Sequence, residues 1–109
     1  MRTGPIIVIC AFRPTPGKEM DLLGVIHDHM PTLRSQGLVT DRVPIVGRAK
    51  DGTIVEVCEW KSQAAVDEAH GNPVVRGLWE RFEACCRYIS LREVAETQGP
   101  FPHFEPIEI

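Results

Sequence analysis

The chain has 109 residues, 43% of them hydrophobic, and a formal net charge of −3 at pH 7. This length and composition suit one globular domain with a single core. Lysine and arginine are spread along the chain, so no basic patch predicts nucleic acid or an anionic membrane as a partner. No apolar run approaches the roughly 20 residues that span a bilayer, and the N-terminal Met-Arg-Thr-Gly lacks the apolar segment of a signal peptide. We therefore expect a cytoplasmic protein.

The first predicted element is a strand over residues 6–13 that is apolar on both of its alternating faces. Such a strand should lie in the middle of a sheet and be covered on both sides. A Pro-Thr-Pro-Gly turn ends it, and apolar residues then recur at helical spacing from Leu22 to Leu33. Pro31 predicts a kink in the last turn of this helix, and Gly37 predicts its end.

Two further strands are predicted to form a hairpin. Residues 38–49 have strand character that Pro44 interrupts, which indicates a bulge or an edge position. Residues 53–60 form the next strand, and Asp51-Gly52 between them is typical of a type I′ turn, in which both central residues have positive φ. The two strands should therefore be antiparallel neighbours.

A short helix, a longer helix and a last strand follow the hairpin. Ser62 is the predicted N-cap of a helix that ends near His70, before an Asn-Pro pair. An apolar stripe over residues 75–85 predicts the longer helix, and residues 88–94 predict the fourth strand. The order β-α-β-β-α-β predicts an α+β fold of the ferredoxin-like kind, with a four-stranded antiparallel sheet and helices on one face.

The predicted domain covers residues 1–95, and residues 96–109 form a C-terminal extension. This extension is rich in proline but too apolar for a free tail, so we expect it to pack on the domain or on a partner subunit, near the dimer seam or over a pocket mouth. Helices cover only one face of such a sheet, so the second face of the first strand, with Ile7, Ile9 and Ala11, needs another cover. We predict a symmetric homodimer in which two sheets face each other.

Cysteines and histidines give no metal-binding pattern. The four cysteines lie in or beside apolar patterns and lack the C-x-x-C spacing of zinc or redox sites, so we interpret them as reduced core residues. The adjacent Cys85 and Cys86 lie near a helix C-terminus, which disfavours a thiolate. His27 and His29 point about 200° apart on their helix and cannot readily share a metal ion.

Three segments resemble the antibiotic biosynthesis monooxygenase family: FRPTPGKE at the end of the first strand, EVCEWKS in the third, and EAHGNP at the end of the short helix. The resemblance covers about residues 6–95 and implies a dimeric α/β barrel. Some members oxidise quinols or polycyclic aromatics with molecular oxygen and no prosthetic group, and others degrade haem. The positions of the haem-binding triad here hold Cys10, Ala69 and Trp79, so the resemblance implies no haem and no other cofactor. Where members commonly have a histidine, this chain has Ala69, and His70 follows it.

A cofactor-free monooxygenase needs a base and an apolar pocket that excludes water. His29 is the first candidate base, because it shares a helical face with Leu22 and Ile26 and should point inward. The alternative is a core histidine with one hydrogen bond. His70 is the second candidate, and its alternative is a polar helix terminus that bonds local carbonyl groups.

The substrate pocket is predicted to contain Trp60, Trp79, Phe82 and Glu56. The two tryptophans have an alternative role as core or interface residues. Glu56 shares its strand face with Trp60 and needs a partner if buried, which we expect to be Arg42 or Arg48 on the neighbouring strand.

Two functions are therefore considered for this chain. The first is a cofactor-free monooxygenase that acts on a small apolar or aromatic, quinol-like molecule, with His29 and His70 as catalytic residues. The alternative is a non-catalytic dimer that binds a small apolar ligand. The sequence contains no phosphate-binding glycine loop that would indicate nucleotide binding, and no nucleophile elbow that would indicate hydrolysis.

Overall fold

The structure is a computed structural model that describes residues 3–109. Its regular elements are β1 (Ile6–Pro14), α1 (Glu19–Ser35), β2 (Ile45–Arg48), β3 (Ile54–Trp60), α2 (Gln63–Ala69), α3 (Pro73–Cys85), β4 (Cys86–Ile89) and β5 (Glu105–Pro106). Over these residues the five strands form one antiparallel sheet in the order β4-β1-β3-β2-β5. The predicted α+β class is confirmed. Within residues 3–109, no helix is both long enough and apolar enough to cross a membrane.

The sheet differs from the four-stranded prediction at its two edges. The C-terminal extension supplies β5, which pairs with β2. At the other edge β4 stops at Ile89 instead of reaching residue 94, because Ser90 begins a 3-10 helix. The Ser90 hydroxyl accepts a hydrogen bond from the Arg92 N–H, and the Glu93 carboxylate accepts one from the Ser90 N–H. This capping box turns the chain away from the sheet.

The second strand is also shorter than predicted. It is confined to Ile45–Arg48, directly after Pro44, and the earlier part of the predicted strand contributes one isolated bridge between Val39 and Trp60. Proline cannot donate to a ladder, which explains why regular pairing begins only after Pro44.

The hairpin between β2 and β3 forms as predicted, but the type I′ turn is wrong. Gly52 has φ 92°, and no non-glycine residue in the described chain has positive φ. The Ala49 N–H donates to the Thr53 carbonyl at 2.8 Å, and the Gly52 N–H donates to the Ala49 carbonyl at 3.0 Å. The loop therefore has three residues, with glycine in the left-handed position.

Replacement of Asp51 by asparagine is expected to lower the free energy of unfolding at pH 7 by less than about 1 kcal/mol. The Thr53 N–H donates to the Asp51 carboxylate at 2.9 Å and lowers the pKa of this carboxyl below its usual 3.8, with a smaller contribution from the Arg13 guanidinium. A carboxyl group with a lowered pKa in the folded state stabilises the folded protein at pH values above its unfolded pKa. This stabilisation is lost as the pH falls through the folded-state pKa. Urea denaturation should show the difference at pH 7 and its disappearance in acid. A difference that is constant with pH would contradict this explanation.

The two faces of the sheet are covered differently. The helices pack on the face that carries Phe12 and bury the main core there. On the opposite face, Ala11 and Val55 belong to a small cluster with residues of the C-terminal segment, and the Phe104 ring lies over Gly47. The extension therefore packs on the domain itself, on the face away from the helices. It covers only part of that face, because Ile7 and Ile9 remain 54% and 47% exposed.

Candidate functional site

A cavity of about 530 Å³ lies between the sheet and the helices, beside β1 and β4. The short β4 pairs only with residues 11–14 of β1, so the edge of β1 around Ile7 and Ile9 has no neighbouring strand among the residues described. The cavity lies next to this gap. Its wall is mainly apolar and aromatic, which is typical of small-molecule sites.

Most of the site residues predicted from sequence meet at this cavity. Those that line it are His29, Trp60, His70, Trp79 and Phe82. Glu56 does not line the cavity, but it lies directly behind His29. Residues from α1, β3, the C-cap of α2 and α3 are therefore brought together at one place in the fold.

His29 and Glu56 form a buried pair. His29 lies on the inward face of α1 and is 4% exposed, and Glu56 lies in the middle of β3 and is 0% exposed. The distance between His29 Nδ1 and Glu56 Oε1 is 2.5 Å. A buried carboxyl group needs such a partner, and the imidazole supplies it.

The predicted arginine partners of Glu56 are wrong. Arg42 pairs with Glu59 at 3.1 Å, and Arg48 pairs with Glu105 at 3.3 Å. The register of β2 against β3 places Val46 opposite Glu56. Val46 is apolar, so the partner of Glu56 comes from the helix layer above the sheet.

The pair determines how His29 can act. Its ring is held edge-on against Phe82, with 5.0 Å between ring centroids, and against Phe12 at 6.2 Å. When Nδ1 carries the proton and donates it to Glu56, Nε2 is an acceptor. Among residues 3–109 no group hydrogen-bonds to this Nε2, and Glu56 Oε2 is also without a partner. His29 thus has one hydrogen bond, as the alternative of a core histidine requires. It also lines the cavity and has a second ring nitrogen without a partner among the described residues.

His70 occupies an exposed position at the end of α2. Its Nδ1 donates to the Val66 carbonyl at 3.0 Å, and its ring lies 5.2 Å from the Trp79 ring in an edge-on arrangement. The adjacent Ala69 is fully buried, so His70 and not residue 69 lines the cavity. The Val66 bond is the local carbonyl contact of a helix terminus, and the Trp79 contact holds the ring at the cavity wall.

The cavity wall contains three polar residues that the sequence analysis missed, Cys10, Glu83 and Tyr88. Cys10 alternates with Phe12 along β1, and this spacing was the signal that places both on the helix side. The Tyr88 hydroxyl donates to the Trp79 carbonyl at 3.4 Å, and partial desolvation of this half-exposed side chain raises the pKa of Tyr88 above its usual 10. Tyr88 therefore stays protonated at neutral pH.

Charge in the cavity wall is sparse. Among residues 3–109, Glu83 is the one acidic residue of the lining, and no lysine or arginine contributes to it. An anionic ligand would find no counter-charge there, so the wall favours a neutral ligand.

The other three cysteines are buried thiols, and all four are unpaired in the described chain. Burial raises the pKa of Cys86 to about 12 and raises that of Cys85 as well. The neighbouring Cys10 thiol, together with burial, raises the pKa of Cys58. These three thiols stay protonated at neutral pH.

Comparison with known proteins identifies the fold without a function. No protein-family model and no curated protein matches the sequence. The crystal structure of protein SO0527 from Shewanella oneidensis superposes with a TM-score of 0.63, covering 81% of this chain and 87% of that chain, at 16% sequence identity. A structural likeness at this level of identity shows the fold alone. This chain and SO0527 therefore share a fold.

Proposed function

We propose that the protein is a cofactor-independent oxygenase of the antibiotic biosynthesis monooxygenase type, which oxidises a neutral aromatic molecule with an ionisable hydroxyl group, such as a quinol. The observation that carries this proposal is the buried His29–Glu56 pair, whose imidazole lines an apolar cavity and has a free nitrogen. The absence of lysine and arginine from the described cavity lining supports a neutral substrate over an anionic one.

In this proposal His29 is the general base. Its Nε2 accepts the proton of the substrate hydroxyl, and Glu56 holds the other nitrogen protonated and stabilises the imidazolium that forms. The resulting aromatic anion is rich enough in electrons to react with oxygen, and the substrate supplies all the electrons. Trp79 and Phe82 provide apolar surface that keeps water from the oxygenated intermediate.

Oxygen uptake with a dihydroxynaphthalene tests the proposed reaction. The wild-type protein should exceed the uncatalysed rate, and His29→Gln should lose about 100-fold or more of this excess, because general base catalysis contributes at least that much. His27→Gln is the matched control, since His27 is exposed on the same helix and donates only to the Leu23 carbonyl.

The outcomes of this experiment separate the two functions. No excess uptake with several quinols, or full activity in His29→Gln, would contradict the oxygenase proposal. Saturable binding of the same quinols without uptake would instead support the alternative, a non-catalytic protein that binds a small apolar ligand.

We also propose a ferredoxin-like subunit in a dimeric α/β barrel. The sheet order β4-β1-β3-β2 is the order that the ferredoxin-like arrangement requires, and β5 extends its edge. On the sheet face away from the helices, Ile7, Ile9 and Ile45 are exposed and Val57 is partly exposed. Contiguous exposed apolar surface of this kind indicates a protein interface, and the facing sheet of a second copy would cover it.

Replacement of Ile9 by aspartate is expected to dissociate this dimer, because burying an unpaired carboxylate in an apolar interface is costly. Sedimentation at micromolar concentration should give a wild-type species of twice 12.2 kDa and an Ile9→Asp species of 12.2 kDa. Met20→Asp is the control, because Met20 is 78% exposed on α1, away from this face. A wild-type species of 12.2 kDa would overturn the dimer and the barrel.

A further inference from the structure

Cys10 differs from the other cysteines in its surroundings. It is partly buried and lines the cavity, whereas Cys58 and the adjacent Cys85 and Cys86 are buried and are absent from the described cavity lining. Its side chain points to the helix side of β1, the side on which His29 contributes to the same wall.

Cys10, Glu56 and His29 form one cluster. Cys10 is the direct cross-strand partner of Glu56, and residues in this relation have Cβ atoms about 5 Å apart. Glu56 in turn is hydrogen-bonded to His29 Nδ1 at 2.5 Å. Cys10 and the carboxylate-oriented His29, with its free Nε2, thus lie in the same cavity wall, with no hydrogen bond between them among the described residues. A thiol, an imidazole and a carboxylate are the groups that an activated cysteine nucleophile combines.

The neighbouring Cys58 is the other thiol that could react on this side of the sheet. Cys58 donates its S–H to the Val8 carbonyl at 3.7 Å, and the Cys10 thiol and burial together raise the pKa of Cys58. Cys58 thus keeps its proton and does not compete with Cys10 as the reactive sulfur.

We propose that Cys10 is a nucleophilic thiol that forms a covalent thioether with neutral α,β-unsaturated carbonyl compounds in the cavity, with His29 as the proton acceptor. This covalent site goes beyond the proposed oxygenase reaction and needs neither oxygen nor a quinol.

The chemistry is a conjugate addition. The Cys10 sulfur bonds to the β-carbon of the compound while His29 takes the thiol proton. The electron pair of the carbon–carbon double bond moves towards the carbonyl group and gives an enolate. The proton then passes from His29 to the α-carbon, so no oxidant or reductant is required. The same cavity should discriminate against anionic acceptors, because Glu83 is in its wall without any lysine or arginine in the described lining.

The probe for this site is N-ethylmaleimide, used without oxygen at neutral pH and followed by intact mass and peptide mapping. One adduct should form first, on Cys10, and faster than on glutathione. Cys10→Ser should remove this fast adduct. His29→Gln should slow it by about 10-fold or more, whereas His27→Gln should not. Carboxyethyl maleimide is the anionic analogue. The ratio of its rate to that of N-ethylmaleimide should be smaller for Cys10 than for glutathione.

The wild-type protein provides a readout that does not depend on how the variants fold. At neutral pH its Cys10 should react faster than the glutathione thiol, because an imidazole in the same cavity wall accepts the thiol proton. First modification at another cysteine, a Cys10 rate no faster than that of glutathione, or an unchanged rate in folded His29→Gln would overturn the proposal. Failure of oxygen uptake alone would overturn only the oxygenase function.

Discussion

Phe82→Ala is expected to lower the free energy of unfolding by about 3–5 kcal/mol, the range for removing a buried aromatic ring. The Phe82 side chain is fully buried, its ring stacks on Phe12 with 4.6 Å between centroids, and it meets the His29 ring edge-on. Removing the Phe82 ring deletes its contacts with Phe12 and His29 and enlarges the cavity that Phe82 lines. Urea denaturation should show a lower midpoint with an unchanged slope.

Phe101→Ala is the matched control for this prediction. Phe101 is 80% exposed, so its removal should change the free energy of unfolding by no more than about 0.5 kcal/mol. Similar losses in the two variants would show that the ring of Phe82 is not part of the core that holds the helices on the sheet.

His29→Leu is expected to cost about 3 kcal/mol at pH 7, because it leaves the carboxyl group of Glu56 buried with neither oxygen partnered. The double variant His29→Leu/Glu56→Leu should recover much of this loss, since replacing both polar partners by apolar groups removes the desolvation penalty. Equilibrium denaturation of both single variants and the double variant forms a cycle that measures the coupling. Additive losses would mean that the two groups do not depend on each other.

The short β4 links the cavity to the path of the C-terminal segment. The capping box of Ser90 and Glu93 ends pairing at Ile89, which leaves the edge of β1 open beside the cavity. The same turn sends the chain to the other face of the sheet, where Val94 packs on Ala11 and the later segment reaches β2. One local hydrogen-bonding motif thus shapes both the cavity and the remaining exposed face.

The sequence alone predicted the features that depend on neighbours in the chain. Ser62 accepts a hydrogen bond from the Ala65 N–H at 3.1 Å, so the predicted N-cap of α2 is confirmed. The order of helices and strands was predictable because the period of the apolar residues distinguishes a helix from a strand and shows which face of each is buried. His29 could be placed in the interior for the same reason, from its spacing to Leu22 and Ile26 on α1.

Other features depend on register and on contacts between distant segments, which only the tertiary structure decides. The partner of Glu56 was predicted wrongly from the sequence, in which two arginines lie near the neighbouring strand. The register of β2 places Val46 opposite Glu56. The actual partner is His29, which is 27 residues away in the chain and lies on the helix above the sheet. Cys10 was interpreted as a core residue, and it lines the cavity only because β4 stops before it covers that edge of β1. Periodicity tells which side of an element faces inward, but the neighbour found there is determined by how elements far apart in the chain pack together.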